Sequence, residues 1–229
     1  MKILIPLITL IFGNILFFGP LLAEEEYGHT EFQASGSKEG HQIFLKGLLQ
    51  LHNFEYEDAR DTFLETQRID PQFIMAYWGE ALTYEHPLWS QFDTEASRSA
   101  LAKLGSTPEQ RVATAPTERE KAYLRSVNIL FGEGSQEERE IAYSSALEEI
   151  YRQYPDDIDA AALHALSLLT ISHGGRDFSL YIRAGAITED ILDRNPRHPG
   201  ALHYNIHSFD DPVHAPLGLR AADAYAVVA

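Results

Sequence analysis

The stretch Gly40 to Pro71, GHQIFLKGLLQLHNFEYEDARDTFLETQRIDP, decides the fold. Ile43, Leu45, Leu48, Leu49 and Leu51 recur at helical spacing and stop at His52-Asn53, so the first half reads as an amphipathic helix. Tyr56 to Ile69 reads as a second helix, with Ala59, Phe63, Leu64 and Ile69 as its apolar positions and Asp70-Pro71 as its stop. Helices joined by so short a turn pack antiparallel. The stretch is a helix pair.

Outward from it the pattern continues. Helices are expected over Phe73–Glu85, Thr94–Leu104, Glu137–Tyr154, Ile158–Ser172, Phe178–Arg194 and His198–Phe209, with a last one from about Pro216. Thr117 with Glu120 three residues on is a capping box opening another, to about Phe131. Gly105 to Thr114 reads as a loop. No segment alternates as a strand would, so the chain is all-α. Pro71, Pro155 and Pro196 each close the second helix of a pair, which points to a solenoid of antiparallel helix pairs.

The first pair resembles a tetratricopeptide repeat. Counting Gly40 as position 1, Gly47 falls at position 8, Ala59 at 20, Phe63 at 24 and Pro71 at 32, where that family places small residues, an aromatic and a proline. Ile43 stands where the family prefers Trp, and Thr66 where it prefers Ala. Later units are degenerate and carry insertions, although Ala184 keeps its small-residue position. EHPLW at Glu85–Trp89, taken with the opening stretch, also resembles a group of exported bacterial repeat proteins of no established activity. The resemblance implies a right-handed superhelix whose concave groove binds a protein or peptide partner. In its register the groove collects Phe44, His52, Trp78, Leu82, His86, His164, His203 and His207. Trp78 is also the kind of residue that fills a helix-pair core.

Composition narrows the partner. With 45% hydrophobic and 23% charged residues the chain is ordinary for a folded protein. A formal charge of −16, from 34 carboxylates against 18 Lys and Arg, argues against nucleic acid and anionic membrane surfaces. Lys2, the apolar run Ile3–Leu22 and the switch after Ala23 to Glu24-Glu25-Glu26 read as an export signal. Pro6, Gly13, Asn14, Gly19 and Pro20 make that run a poor permanent span, so no stable membrane span is expected after cleavage. The expected organisation is a signal over 1–23, a flexible linker over 24–37 and a helical-repeat domain over 38–229, in a periplasmic or extracellular protein. The uncapped ending at Ala229 suggests that the repeats continue.

Four of the ten histidines lie between His198 and Leu219: His198, His203, His207 and His214. His203 and His207 are four apart, so they share a helix face and could chelate a divalent transition metal. His86, His164 or His214, or Asp210 and Asp211, could complete the shell. The same imidazoles could equally hydrogen-bond helix carbonyls, or titrate with a partner between about pH 5 and 8. His203-Tyr204-Asn205-Ile206-His207 lacks the Glu that a zinc protease uses as base, which excludes that class. The chain has no Cys and no G-x-S-x-G elbow, and Gly174-Gly175 is a helix stop without a phosphate-loop pattern.

Overall fold

The computed structural model describes residues 27–228; the expected signal over 1–23 lies outside them. Among the described residues the chain is all-α, with eleven α-helices and one minimal hairpin. They are α1 (Lys38–His52), α2 (Tyr56–Ile69), α3 (Ile74–Leu82), α4 (Thr94–Ala102), α5 (Pro108–Thr114), α6 (Glu118–Leu130), α7 (Gln136–Gln153), α8 (Ile158–Thr170), α9 (Phe178–Arg194), α10 (Pro199–Phe209) and α11 (Ala215–Tyr225). Strands β1 (Glu85–His86) and β2 (Gln91–Phe92) flank a 3-10 turn over Pro87–Trp89. Among the described residues no helix is long and apolar enough to cross a membrane.

Most helix starts carry their own chemical cap. Ser37, Asp93, Asp157 and Asp177 each accept from a backbone N–H of the first turn. Capping boxes open α5, α6 and α7 at Thr107, Thr117 and Ser135. The box at Thr107 and Gln110, with Pro108 at the first helical position, corrects the loop expected over Gly105–Thr114: α5 forms there. The third helix ends at Leu82, short of Glu85, because the chain turns into the hairpin before Pro87.

Most sequential helices pack on one another, and further contacts join helices distant in sequence. Helix α1 packs on α3 and on α10, α3 on α6, and α8 on α10. One core gathers Phe44, Phe63, Phe73, Trp78 and Tyr123 from α1, α2, α3 and α6 and the turn before α3. A second gathers Leu168, Leu169, Ile191, Leu202 and Tyr204 from α8, α9 and α10. Each such side chain contributes about 1.5–3 kcal/mol on leaving water.

Residues 27–37 are not the flexible linker expected there. They run extended across the starts of α10, α8 and α6, with Phe32 only 1% exposed. Its ring packs on Phe44 at 5.4 Å, Trp78 at 5.9 Å and Tyr123 at 5.2 Å. The polar, glycine-containing sequence hid this, since a single aromatic anchors the segment and the other contacts are hydrogen bonds.

Candidate functional site

Three parts of the fold carry polar chemistry. The deepest is a buried triad in which His52, ending α1, meets Asp159 in the first turn of α8 and His198, the N-cap of α10. Among the described residues this is the single group of three His, Cys, Asp or Glu side chains whose donor atoms lie within 4.8 Å of one another. None of the predicted metal ligands (His86, His164, His203, His207, His214) belongs to it. Gly200 makes the triad possible, because a Cβ there would stand 2.4 Å from His52 Nδ1.

Proton positions follow from the partners. Asp159 Oδ1 lies 2.9 Å from His52 Nε2, and Oδ2 accepts from the Thr30 hydroxyl at 2.7 Å. Burial alone would push the Asp159 carboxyl up, but the contacts from His198 and His52 overcome it and hold it well below the usual carboxylate range. An ionised carboxylate only accepts, so His52 carries its proton on Nε2 and its Nδ1 accepts from the Tyr204 hydroxyl at 2.9 Å. Burial keeps His52 neutral by lowering its pKa. His198 Nδ1 accepts from the Ala201 N–H at 3.1 Å, which leaves its proton on Nε2, 3.3 Å from Asp159 Oδ1 and poorly aligned for a hydrogen bond.

These proton positions decide what the triad can do. A metal at His198 Nε2 would require the ring to move its proton to Nδ1 and give up the cap bond from the Ala201 N–H. The donor set therefore suits a hydrogen-bonded lock rather than an ion. Carboxylate, imidazole and hydroxyl are ordered as in a nucleophile triad. Tyr204 is nevertheless 1% exposed, and its hydroxyl pKa is raised well above 10 by burial, so it is neither accessible nor activated.

The second part is a cavity of about 40 Å³ lined by Leu51, Tyr56, Leu82, Glu85, Tyr143 and Tyr204. It has room for solvent and too little for a substrate. Burial, reinforced by the charge of Glu140, pushes the Glu85 carboxyl up to about 8.

The third part is at the surface. The ring of His86 stacks on Tyr56 at 4.0 Å, Tyr56 on Phe54 at 5.4 Å, and Phe54 lies 4.2 Å from His203 and 6.3 Å from His207. Trp89 stands edge-on to Phe54 at 5.6 Å and is 55% exposed. Tyr225 stacks on His203 at 4.8 Å from the other side. Phe54 holds the centre with φ +62, a left-handed backbone that a bulky residue adopts at a cost of about 1–3 kcal/mol.

The predicted groove residues thus divide. His86, His203 and His207 come together on this stack, and Leu82 lines the small cavity. Phe44, Trp78, His52 and His164 are buried and offer a partner no surface, which corrects their expected place in an open groove. The inner faces of the first helices meet one another and Phe32 instead. His164 lies against Tyr151, with neither ring nitrogen bonded to protein, and burial pulls its pKa to about 4. Burial likewise brings His203 to about 4, so His164 and His203 do not titrate between pH 5 and 8, against the expectation for these groove imidazoles, and burial lowers His52 as well.

His207 and His214 are engaged through Nδ1 by Asp210 at 2.9 Å and Asp211 at 2.8 Å, and Arg176 balances both carboxylates. Sequence reasoning missed Asp159, which looks like any acidic residue at a helix start, and Phe54. A phenylalanine where a helix-ending turn favours glycine was the available signal for Phe54. No family model matches the chain, and no curated protein or solved structure matches it.

Proposed function

We propose that the chain is an exported, tetratricopeptide-like scaffold, a right-handed solenoid of antiparallel helix pairs, that binds a protein or peptide partner through the aromatic–imidazole face around Trp89. The observation that carries this reading is the exposure of Trp89 at the edge of a continuous ring stack drawn from distant parts of the chain. A half-exposed tryptophan with aromatic support and half-buried imidazoles beside it has the make-up of a binding hot spot. The strained backbone at Phe54 supports it further, since strain of that kind persists where a ring must be held in place. The export part rests on Lys2 to Ala23 and is tested by the N-terminal mass of secreted protein, which an uncleaved Met1 would contradict.

Selection of binders from a random peptide display library tests the face itself. Selected peptides should bind at micromolar affinity and lose about tenfold or more with Trp89→Ala, the cost expected of a hot-spot aromatic. Peptides indifferent to Trp89→Ala and His207→Ala would place the partner elsewhere. The alternative is a divalent transition metal. The expected ligands His86, His164, His203, His207 and His214 form no metal-holding cluster among the described residues. The group that could hold the ion is His52, Asp159 and His198, at the cost of the cap bond on His198.

A further inference from the structure

Residues 28–36 are held the way a bound peptide is held. Their main chain is recognised by side chains and loop carbonyls rather than by a sheet. The His29 N–H donates to the Arg197 carbonyl at 3.0 Å, and Asn195 Nδ2 donates to the His29 carbonyl at 2.9 Å. His41 Nε2 donates to the Phe32 carbonyl at 2.9 Å, and Arg119 donates to that of Gln33. The Ser35 N–H donates to Glu120 Oε1 at 2.7 Å, and its hydroxyl to Oε2 at 2.9 Å.

Side chains alternate as in a strand laid in a trough. Thr30 and Phe32 point inward, to Asp159 and to the cage of Phe44, Trp78 and Tyr123, while the Arg119 guanidinium covers the Phe32 ring at 4.2 Å. His29, Glu31 and Gln33 face an open crevice of about 770 Å³, so the outer side of the trough is accessible. Gly28 and Gly36 bracket the segment with φ +90 and +152, conformations in which glycine is unstrained. The occupant is also imperfect: the buried indole N–H of Trp78 has no protein acceptor.

We infer that this trough is a binding site for extended peptides carrying a hydroxyl residue two positions before an aromatic, and that residues 28–36 are its tethered occupant. The site is separate from the face around Trp89. Asp159 and Glu120 accept from the ligand, so the Thr and Ser positions must offer hydroxyl groups rather than carboxylates. The alternating outward positions tolerate any residue. A tethered occupant competes at an effective concentration near the millimolar range, so a free peptide binds weakly until the occupant is weakened.

The test uses the full chain and a fluorescein-labelled peptide of residues 27–37, read by anisotropy. Thr30→Ala/Phe32→Ala protein should bind it about tenfold or more tightly than the unaltered chain, and should bind the same peptide with Phe32→Ala far less. A double variant that keeps its helical circular dichroism yet treats both peptides alike would overturn the proposal. Should the double variant be unfolded, excess peptide should restore a cooperative melt, and failure to do so overturns the proposal equally. Hydrogen exchange of the unaltered chain gives a second measure. The amides of His29 and Ser35 should exchange through an opening that leaves α1 and α8 protected, and exchange of all of them only together would show that the segment never leaves.

Discussion

Asp159 sets the energetics of the molecule's centre. One carboxylate takes the proton of His52, approaches that of His198 and takes the Thr30 hydroxyl, so four separate chain segments meet on two oxygen atoms. Taking such a charge out of water is expensive, and the network is favourable because nearly every polar atom has a partner. Asp159→Asn keeps the shape and can donate its amide to the Thr30 hydroxyl, but it removes the charge that His52 and His198 are arranged around. It should cost about 3–5 kcal/mol, a fall in Tm on the order of 10 °C for a chain of this size. Because His198 presents a proton and not a lone pair, neither EDTA nor zinc should move the Tm of the unaltered chain. A melt of Asp159→Asn within 2 °C of the parent, or a zinc-dependent rise, would count against the lock (about half a kcal/mol on the same scale).

At the scale of elements, the helices were legible because their punctuation is chemical. The stops at Pro71, Pro155 and Pro196 and the capping box at Thr117 lie where the helices end and begin. The small position at Gly47 was legible too, and its reason is now visible. Phe63 is wholly buried between Gly47 and Gly79, whose Cβ atoms would stand 2.9 and 2.5 Å from its ring. The segment over 27–37 was not legible, because nothing periodic announces an extended stretch held by side-chain hydrogen bonds. Nor was the closing of the inner faces on one another, since register within a pair says nothing about how pairs far apart in sequence meet. Gly79→Ala, with three ring carbons inside 2.8 Å of the new methyl, should cost about 1–3 kcal/mol. Gly47→Ala should cost less. Gly174, with nothing within 4 Å, should accept Ala without loss. Equal melts for Gly79→Ala and Gly174→Ala would show that the Phe63 ring yields freely and that the approach of α1, α2 and α3 is not set by it.

For the whole molecule, the buried titratable groups set opposing slopes of stability against pH. Glu85 ionises near 8 in the fold against 4.5 ordinarily, so between those values the folded chain holds a proton that the unfolded chain has lost. Its stabilisation is complete below about 4.5 and fades as pH rises toward 8. His164 and His203 are pulled from 6.5 to about 4, so the unfolded chain protonates first and stability fades as pH falls through that interval. His52 acts in the same direction. Asp159 is held so low that its contribution is intact throughout this range. Between 4.5 and 6.5 the imidazoles together outweigh the one carboxyl, and stability rises with pH; above 6.5 their contribution dies away, Glu85 dominates, and stability falls. A tenfold difference in proton affinity between folded and unfolded chain is worth about 1.4 kcal/mol, so the fall toward pH 8 should amount to roughly 1–2 kcal/mol. Tm measured from pH 4.5 to 8.5 should therefore peak near 6.5, where His164 and His203 are half neutral in the unfolded chain and their combined slope is balanced by that of Glu85. Glu85→Gln, which keeps the shape and cannot ionise, should abolish the alkaline limb and steepen the acid limb, where the carboxyl no longer opposes the imidazoles. A Tm that keeps rising to pH 8 in the unaltered chain would mean that Glu85 is already ionised in the fold, and that solvent or Arg139 reaches its carboxyl.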